Sequence, residues 1–195
     1  MPRRKSKRMR THGGSIYQLK VTLKDSKPPI WRRFLVREDT DLSCLHEILQ
    51  DVMGWTGSHL YEFEVGGTLY TDLEDYDDYS IAPTMEAQSV TLRKLGLREG
   101  DKFRYVYDFG DYWVHDVVVE DVVPEQEGQS FPVCLKGRRA CPPEDCGGIF
   151  GYFDLLTVIN DPDHEDHVEM IEWLGDEFDP DAFDVEETNA LLRSK

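Results

Sequence analysis

Three times within its first 123 residues the chain alternates apolar and polar side chains, breaks at a short turn, and alternates again. Period two places successive side chains on opposite faces of an extended strand, so each pair of runs predicts a β-hairpin with one buried face. The first pairs Ser15–Leu23 with Ile30–Val36 across Asp25-Ser26-Lys27-Pro28-Pro29. The second joins Leu60–Val65 to Thr68–Tyr70 through Gly66-Gly67, residues that tolerate the positive φ of a tight turn. The third sets Lys102–Tyr107 against Trp113–Val123, with Asp108–Tyr112 as the turn and Gly110 as its source of backbone freedom.

Between the first two hairpins the period changes. Leu42, Leu45, Ile48, Leu49, Val52 and Met53 recur at steps of three and four behind Thr40 or Asp41 as N-cap, and Gly54 ends the run, which predicts a helix. Beyond Pro124 a loop carrying Cys134, Cys141 and Cys146 leads to three more helices. One holds Phe150, Phe153, Leu155, Leu156 and Ile159, one holds Val168, Ile171, Trp173 and Leu174, and the last starts at Asp184, with Glu187 at capping-box spacing. These elements predict an α+β fold: a mixed or antiparallel sheet of at least five strands crossed by the Leu42–Met53 helix, an order similar to a β-grasp sheet. An acidic helical C-terminal segment packs on that sheet.

Charge divides the chain further. Residues 1–14 form a basic arm, read as disordered, in which Arg3, Arg4, Lys5, Lys7, Arg8 and Arg10 are too dense to pack. The rest of the chain holds 16 basic against 39 acidic residues, a net −23, and residues 151–195 alone carry 14 acids against Arg193 and Lys195. Three parts result: the arm (1–14), the sheet domain (15–123), and the Cys-containing loop with its acidic helices (124–195). A body so negative repels phosphate backbones and anionic membrane, so any nucleic-acid contact is left to the arm. No apolar run reaches the roughly 18 residues of a membrane span, no secretory leader is recognisable, and four Cys in 195 residues do not make a disulfide scaffold. A cytoplasmic location is expected.

The densest group of chemically versatile residues is the third turn, Asp108, Asp111, Trp113 and His115. Trp113 and His115 are two apart on a strand and share a face, and either Asp can reach the imidazole. Trp55 and His59 lie in the loop after the first helix. If that loop meets the third turn, the six residues surround a concavity able to hold a protein segment or a small ligand, or, through His59, Asp108, Asp111 and His115, a metal ion that activates water. The competing reading is structural: aromatics fill cores, and Asp and Gly make turns.

Cys134, Cys141 and Cys146, spaced C-x6-C-x4-C, are candidate zinc ligands, with His164 or His167 as a fourth. Against this, Pro142-Pro143-Glu144-Asp145 reads as the start of a helix, and a free Cys commonly packs as a small apolar side chain. The acids from Asp72 to Asp78 lack the Gly and the distal Glu of an EF-hand loop and read as a solvated loop. Phosphate loops, dinucleotide fingerprints and G-x-S-x-G elbows do not occur.

Four separated motifs resemble the Ri-plasmid ORF-three-like family. They are Tyr17-Gln18-Leu19-Lys20-Val21 with Pro29-Ile30-Trp31-Arg32-Arg33, then Leu45-His46 to Gly54-Trp55 with His59-Leu60. Tyr107–Asp111 with Trp113 and His115 follows, and last Cys141-Pro142-Pro143-Glu144-Asp145-Cys146-Gly147-Gly148 with Gly151-Tyr152. The resemblance covers about residues 15–192 and leaves the arm outside. It implies an α+β domain associated with plasmids and mobile elements, and it carries over no catalytic residue. The expected function is a non-enzymatic binding or adaptor module. The alternatives are a metal-dependent hydrolase acting on nucleic acid and a nucleic-acid accessory factor working through the arm.

Overall fold

The computed structural model describes residues 13–74, 82–175 and 178–194. The arm's cations and most of the Asp72–Asp78 stretch lie outside them. Among these residues eight strands form one sheet: β1 (Ser15–Leu23), β2 (Trp31–Arg37), β3 (Tyr61–Val65), β4 (Thr68–Thr71), β5 (Thr84–Glu86), β6 (Lys102–Tyr107), β7 (Trp113–Pro124) and β8 (Val133–Arg138). Their order is β5-β4-β3-β6-β7-β1-β2-β8, antiparallel throughout except for the parallel pair β4 and β5. The helices are α1 (Leu42–Met53), a single turn α2 (Leu92–Leu95), α3 (Gly148–Ile159), α4 (His167–Leu174) and α5 (Val185–Leu192). The three expected hairpins and the expected helices are all present, in a mixed-sheet α+β fold.

The sheet is dry on one face and wet on the other. Leu19, Val21 and Leu23 on β1 share the dry face with Val117 and His115 on β7 and with Phe103, Tyr105 and Tyr107 on β6, and α1 covers it with Leu42, Leu45, Leu49, Val52 and Met53. Full burial of one such side chain stabilises by about 1.5–3 kcal/mol. The wet face carries ion pairs, Arg33 with Glu120 and Arg104 with Glu64. Partly exposed pairs of this kind contribute roughly 0–1 kcal/mol each, so the fold rests on the dry face.

Asp41 is the N-cap of α1, accepting from the Cys44 amide at 2.8 Å, and Gly54 closes the helix in a left-handed conformation. Arg32, on β2, is buried and donates from Nε to the Val52 oxygen at 2.7 Å in the last turn of α1. Its Nη1 donates to the main-chain oxygens of Trp31 and Arg138, and its guanidinium lies 4.2 Å from the centre of the Phe183 ring.

Three expectations change. Cys134 is not in a loop: Val133–Arg138 pairs with β2, so the sheet draws a strand from beyond residue 123. Asn189 of α5 accepts from the Cys134 amide at 2.7 Å and donates to its carbonyl at 2.9 Å. Pro142–Asp145 does not open a helix, because Asp145 is left-handed (φ 59°) and α3 starts only at Gly148. In the third turn the left-handed residues are Asp108 and Tyr112, not Gly110.

Candidate functional site

The loop after α1 and the tip of the β6–β7 hairpin meet at one end of the sheet, as a shared site requires. The Asp108 amide donates to the Leu60 oxygen at 2.8 Å, which sets Asp108 beside His59. The His59 Nε2 lies 3.8 Å from Asp108 Oδ2 and 3.4 Å from Asp145 Oδ1. Asp108 is buried, and its Oδ1 accepts from the Gly110 amide at 2.8 Å.

A third segment completes the junction, the loop Cys141–Gly148. Trp55 Nε1 donates to the Pro142 oxygen at 3.0 Å. Glu144 accepts from the Thr56 hydroxyl at 2.7 Å and from the Tyr107 hydroxyl, and burial together with this carboxylate pushes the Tyr107 phenol far above its ordinary range. Asp111 accepts from the Gly147 amide at 3.1 Å, at the N-terminus of α3, where the helix dipole favours negative charge. The approach is close: a Cβ on Gly148 would lie 2.3 Å from the Asp111 oxygen, and one on Gly151 would lie 2.0 Å from the Cys146 oxygen.

The six expected ligand-binding residues therefore divide. Half-buried His59 faces buried Asp108, joined by the exposed Asp145. Asp111 instead fixes the α3 end. Trp113 and His115 are core residues, and Trp55, also buried, borders a separate concavity of about 280 Å³ with Pro142, Pro143 and Glu144. Trp113 and His115 do share a face, but it is the dry one: β7 sets them opposite Tyr107 and Tyr105 on β6, and Trp55 packs on both rings. Among the described residues neither His115 nitrogen meets a partner in hydrogen-bond geometry, and burial pushes its pKa down to about 4. The four-residue water-activating set His59, Asp108, Asp111, His115 is thereby broken.

Nor do the cysteines meet around a common point. Among the described residues, the group of His, Cys, Asp or Glu whose ligand atoms approach one another is His59, Asp108 and Asp145. Cys134 packs at the sheet edge, while Cys141 and Cys146 sit in the junction loop. Burial pushes all three thiols up, Cys146 to about 12, so they stay protonated. His164 stands beside Asp166, and His167 contacts the Val158 oxygen, so neither joins the cysteines.

Two neighbouring concavities open from the junction. A polar groove of about 490 Å³ runs between α1 and β3, past Ser43, His46, Gln50 and His59. Gln50 Oε1 accepts from the Gly57 amide, which orients its Nε2 toward the Tyr105 hydroxyl at 2.8 Å. The Tyr105 hydroxyl also lies within hydrogen-bond distance of His46 Nδ1, at 2.7 Å. His46 also stacks on Tyr61 at 3.8 Å. The signal that marks this array in the sequence is a pair of polar residues, His46 and Gln50, four apart on the apolar face of α1.

The second concavity, of about 380 Å³, lies between α3 and α4. Leu155, Val158, Met170 and Trp173 line it, with the exposed carboxylates Asp145, Asp154 and Asp166 around them. Phe150 on α3 and Val168, Ile171 and Trp173 on α4 are exposed, Phe150 at 79%. No helix among the described residues is long and apolar enough to cross a membrane.

The model of the plasmid pRiA4b ORF-3-like protein family matches residues 15–187. The uncharacterized protein y4hQ of Sinorhizobium fredii is 40% identical over 180 residues, 91% of each chain. The crystal structure of MM3350 from Methanosarcina mazei Go1, a protein of unknown function, is similar with a TM-score of 0.80 and 34% identity, over 91% of this chain and 98% of that one. Three of the four sequence motifs supply the three loops of the junction.

Proposed function

The chain belongs to the plasmid pRiA4b ORF-3-like family, and on that footing we propose that it is a non-enzymatic binding module whose α3–α4 groove takes a short segment of a partner protein. The names its relatives carry assign no activity, so the reading rests on the chain's own surface. The plasmid in the family's name supports a mobile-element setting.

The carrying observation is that Trp173, a large exposed apolar side chain, lines an apolar groove with Leu155, Val158 and Met170. Large apolar side chains grouped on a surface leave water when a partner covers them, and Trp is a frequent anchor of such contacts. Asp145 and, from the C-terminal segment of net charge −12, Asp154 and Asp166 surround the groove and select the partner's chemistry: apolar side chains flanked by Lys or Arg.

The test is fluorescence titration of the full chain with a short peptide of leucines flanked by lysines. Saturable binding that weakens with salt and is lost in Trp173→Ala, at unchanged melting temperature, supports the reading. Equal binding of a glutamate-flanked peptide overturns it. Concentration-dependent self-association abolished by Trp173→Ala assigns the groove to a second copy instead. Peptide binding that appears only after deletion of residues 1–12 assigns it to the basic arm.

A further inference from the structure

We propose that His59, Asp108 and Asp145 form a binding site for one divalent transition metal ion of the zinc class. One imidazole nitrogen and two carboxylate oxygens lie within 4.8 Å of one another. Zinc bonds of about 2.0–2.2 Å to nitrogen and oxygen set ligand atoms roughly 3.3–3.5 Å apart in a tetrahedron. His59 Nε2 and Asp145 Oδ1, at 3.4 Å, already have that separation, and His59 and Asp108, at 3.8 Å, are a few tenths of an ångström wider.

Asp108 provides an independent pointer. It is 6% exposed, with Oδ1 accepting from the Gly110 amide and Oδ2 directed at His59. A carboxylate so withdrawn from water is costly unless positive charge stands against it, and a cation in the triangle supplies it directly. The mixed donor set suits zinc or its transition-metal neighbours better than Ca²⁺ or Mg²⁺, which take oxygen ligands in larger number.

The backbone that presents the three ligands is braced from outside. The Asp108 amide is tied to Leu60, next to His59, and the Tyr112 amide returns to the Asp108 oxygen at 2.7 Å. Glu144, adjacent to Asp145, is held by Thr56 and Tyr107, and Gly147 by Asp111. Supports of this kind orient the ligands of a metal centre. Three protein ligands leave a fourth position for water or a partner's side chain. The site uses none of the cysteines and does not depend on the α3–α4 groove being a docking surface.

The experiment is isothermal titration of the reduced, chelator-treated full chain with Zn²⁺, and with Co²⁺ as a spectroscopic substitute. One equivalent should bind, and Co²⁺ should give visible d–d absorption without thiolate charge transfer. His59→Ala and Asp108→Asn should each weaken binding by at least about tenfold. Asp145→Asn should do the same with folding intact, because its side chain is 72% exposed and Asn accepts its left-handed backbone. Binding undiminished in His59→Ala, a thiolate charge-transfer band, or failure of the full chain to bind Zn²⁺ would each overturn the assignment.

Discussion

The indole N–H of Trp55 and the carbonyl of Pro142 meet at 3.0 Å across 87 positions of sequence. This contact ties the loop that follows α1 to the loop that precedes α3, and Glu144 repeats the tie through Thr56 and Tyr107. Replacing Trp55 by Phe keeps an aromatic ring but leaves the buried acceptor without its donor, at an expected cost of about 1–3 kcal/mol. Glu144→Ala should cost less, because its contacts are partly exposed. Both variants should speed amide exchange across 144–147 well before β1 is affected, as hydrogen-exchange mass spectrometry can resolve.

His115 makes acid stability a test of the core. Its folded pKa, about 4, is below the ordinary 6.5 because burial disfavours the charged ring, with the Tyr105 and Trp113 backbones opposing only in part. Between these values the unfolded chain binds the extra proton. The native state therefore has its full advantage above about pH 6.5 and loses it as pH falls toward 4. The difference amounts to roughly 3 kcal/mol. A His115→Phe variant should show a flatter melting temperature between pH 6.5 and 4 than the parent, and parallel curves would refute the assignment.

Gly148 and Gly151 should be intolerant of even a methyl group. A Cβ there meets main-chain oxygen at 2.3 Å and 2.0 Å, and backbone cannot step aside as a flexible side chain can. Gly54 offers the contrast, since it is left-handed but has open space where its Cβ would go. Gly54→Ala should cost about 1–2 kcal/mol for the conformation alone. Gly148→Ala and Gly151→Ala should exceed that and detach the α3 end, seen as protease cleavage near residue 147.

Arg32 is a buried cation whose hydrogen-bond acceptors among the described residues are main-chain oxygens, with the Phe183 ring against its guanidinium. The α1 carboxyl end supplies one of them, where the helix dipole favours positive charge. Arg32→Lys keeps the charge but loses the planar fork that reaches three oxygens at once. A loss of about 2–4 kcal/mol is expected, and Arg32→Met should lose as much or more. At roughly 2–4 °C per kcal/mol for a chain of this size, the melting temperature should fall by about 5–15 °C, measurable by calorimetry.

What the sequence discloses follows from where side chains repeat. β1, β6 and β7 are legible because Leu19, Val21 and Leu23, or Phe103, Tyr105 and Tyr107, alternate cleanly, and α1 because its leucines follow the helical period. β8 is not legible: in Val133–Arg138 only Cys134 is buried, so an edge strand passes for a loop. His59 and Asp108 can be grouped from the sequence only on the condition that the loop after α1 meets the third turn, which no local pattern decides. Asp145 cannot be grouped with them, since two prolines before it imitate a helix start. The common face of Trp113 and His115 is fixed by parity, but parity does not say which face meets water. That is decided by Tyr105, Leu23 and Trp55, brought together from far along the chain.

Asn189 offers Cys134 one acceptor and one donor, the same pair that an added strand would bring. A side-chain amide thus stands in for a ninth strand at the outer margin of β8, and sheet growth stops there because the chain's own last helix has filled the vacancy. Loss of α5, by truncation or proteolysis, would leave the Cys134 amide and carbonyl open on an edge strand, where another strand can pair.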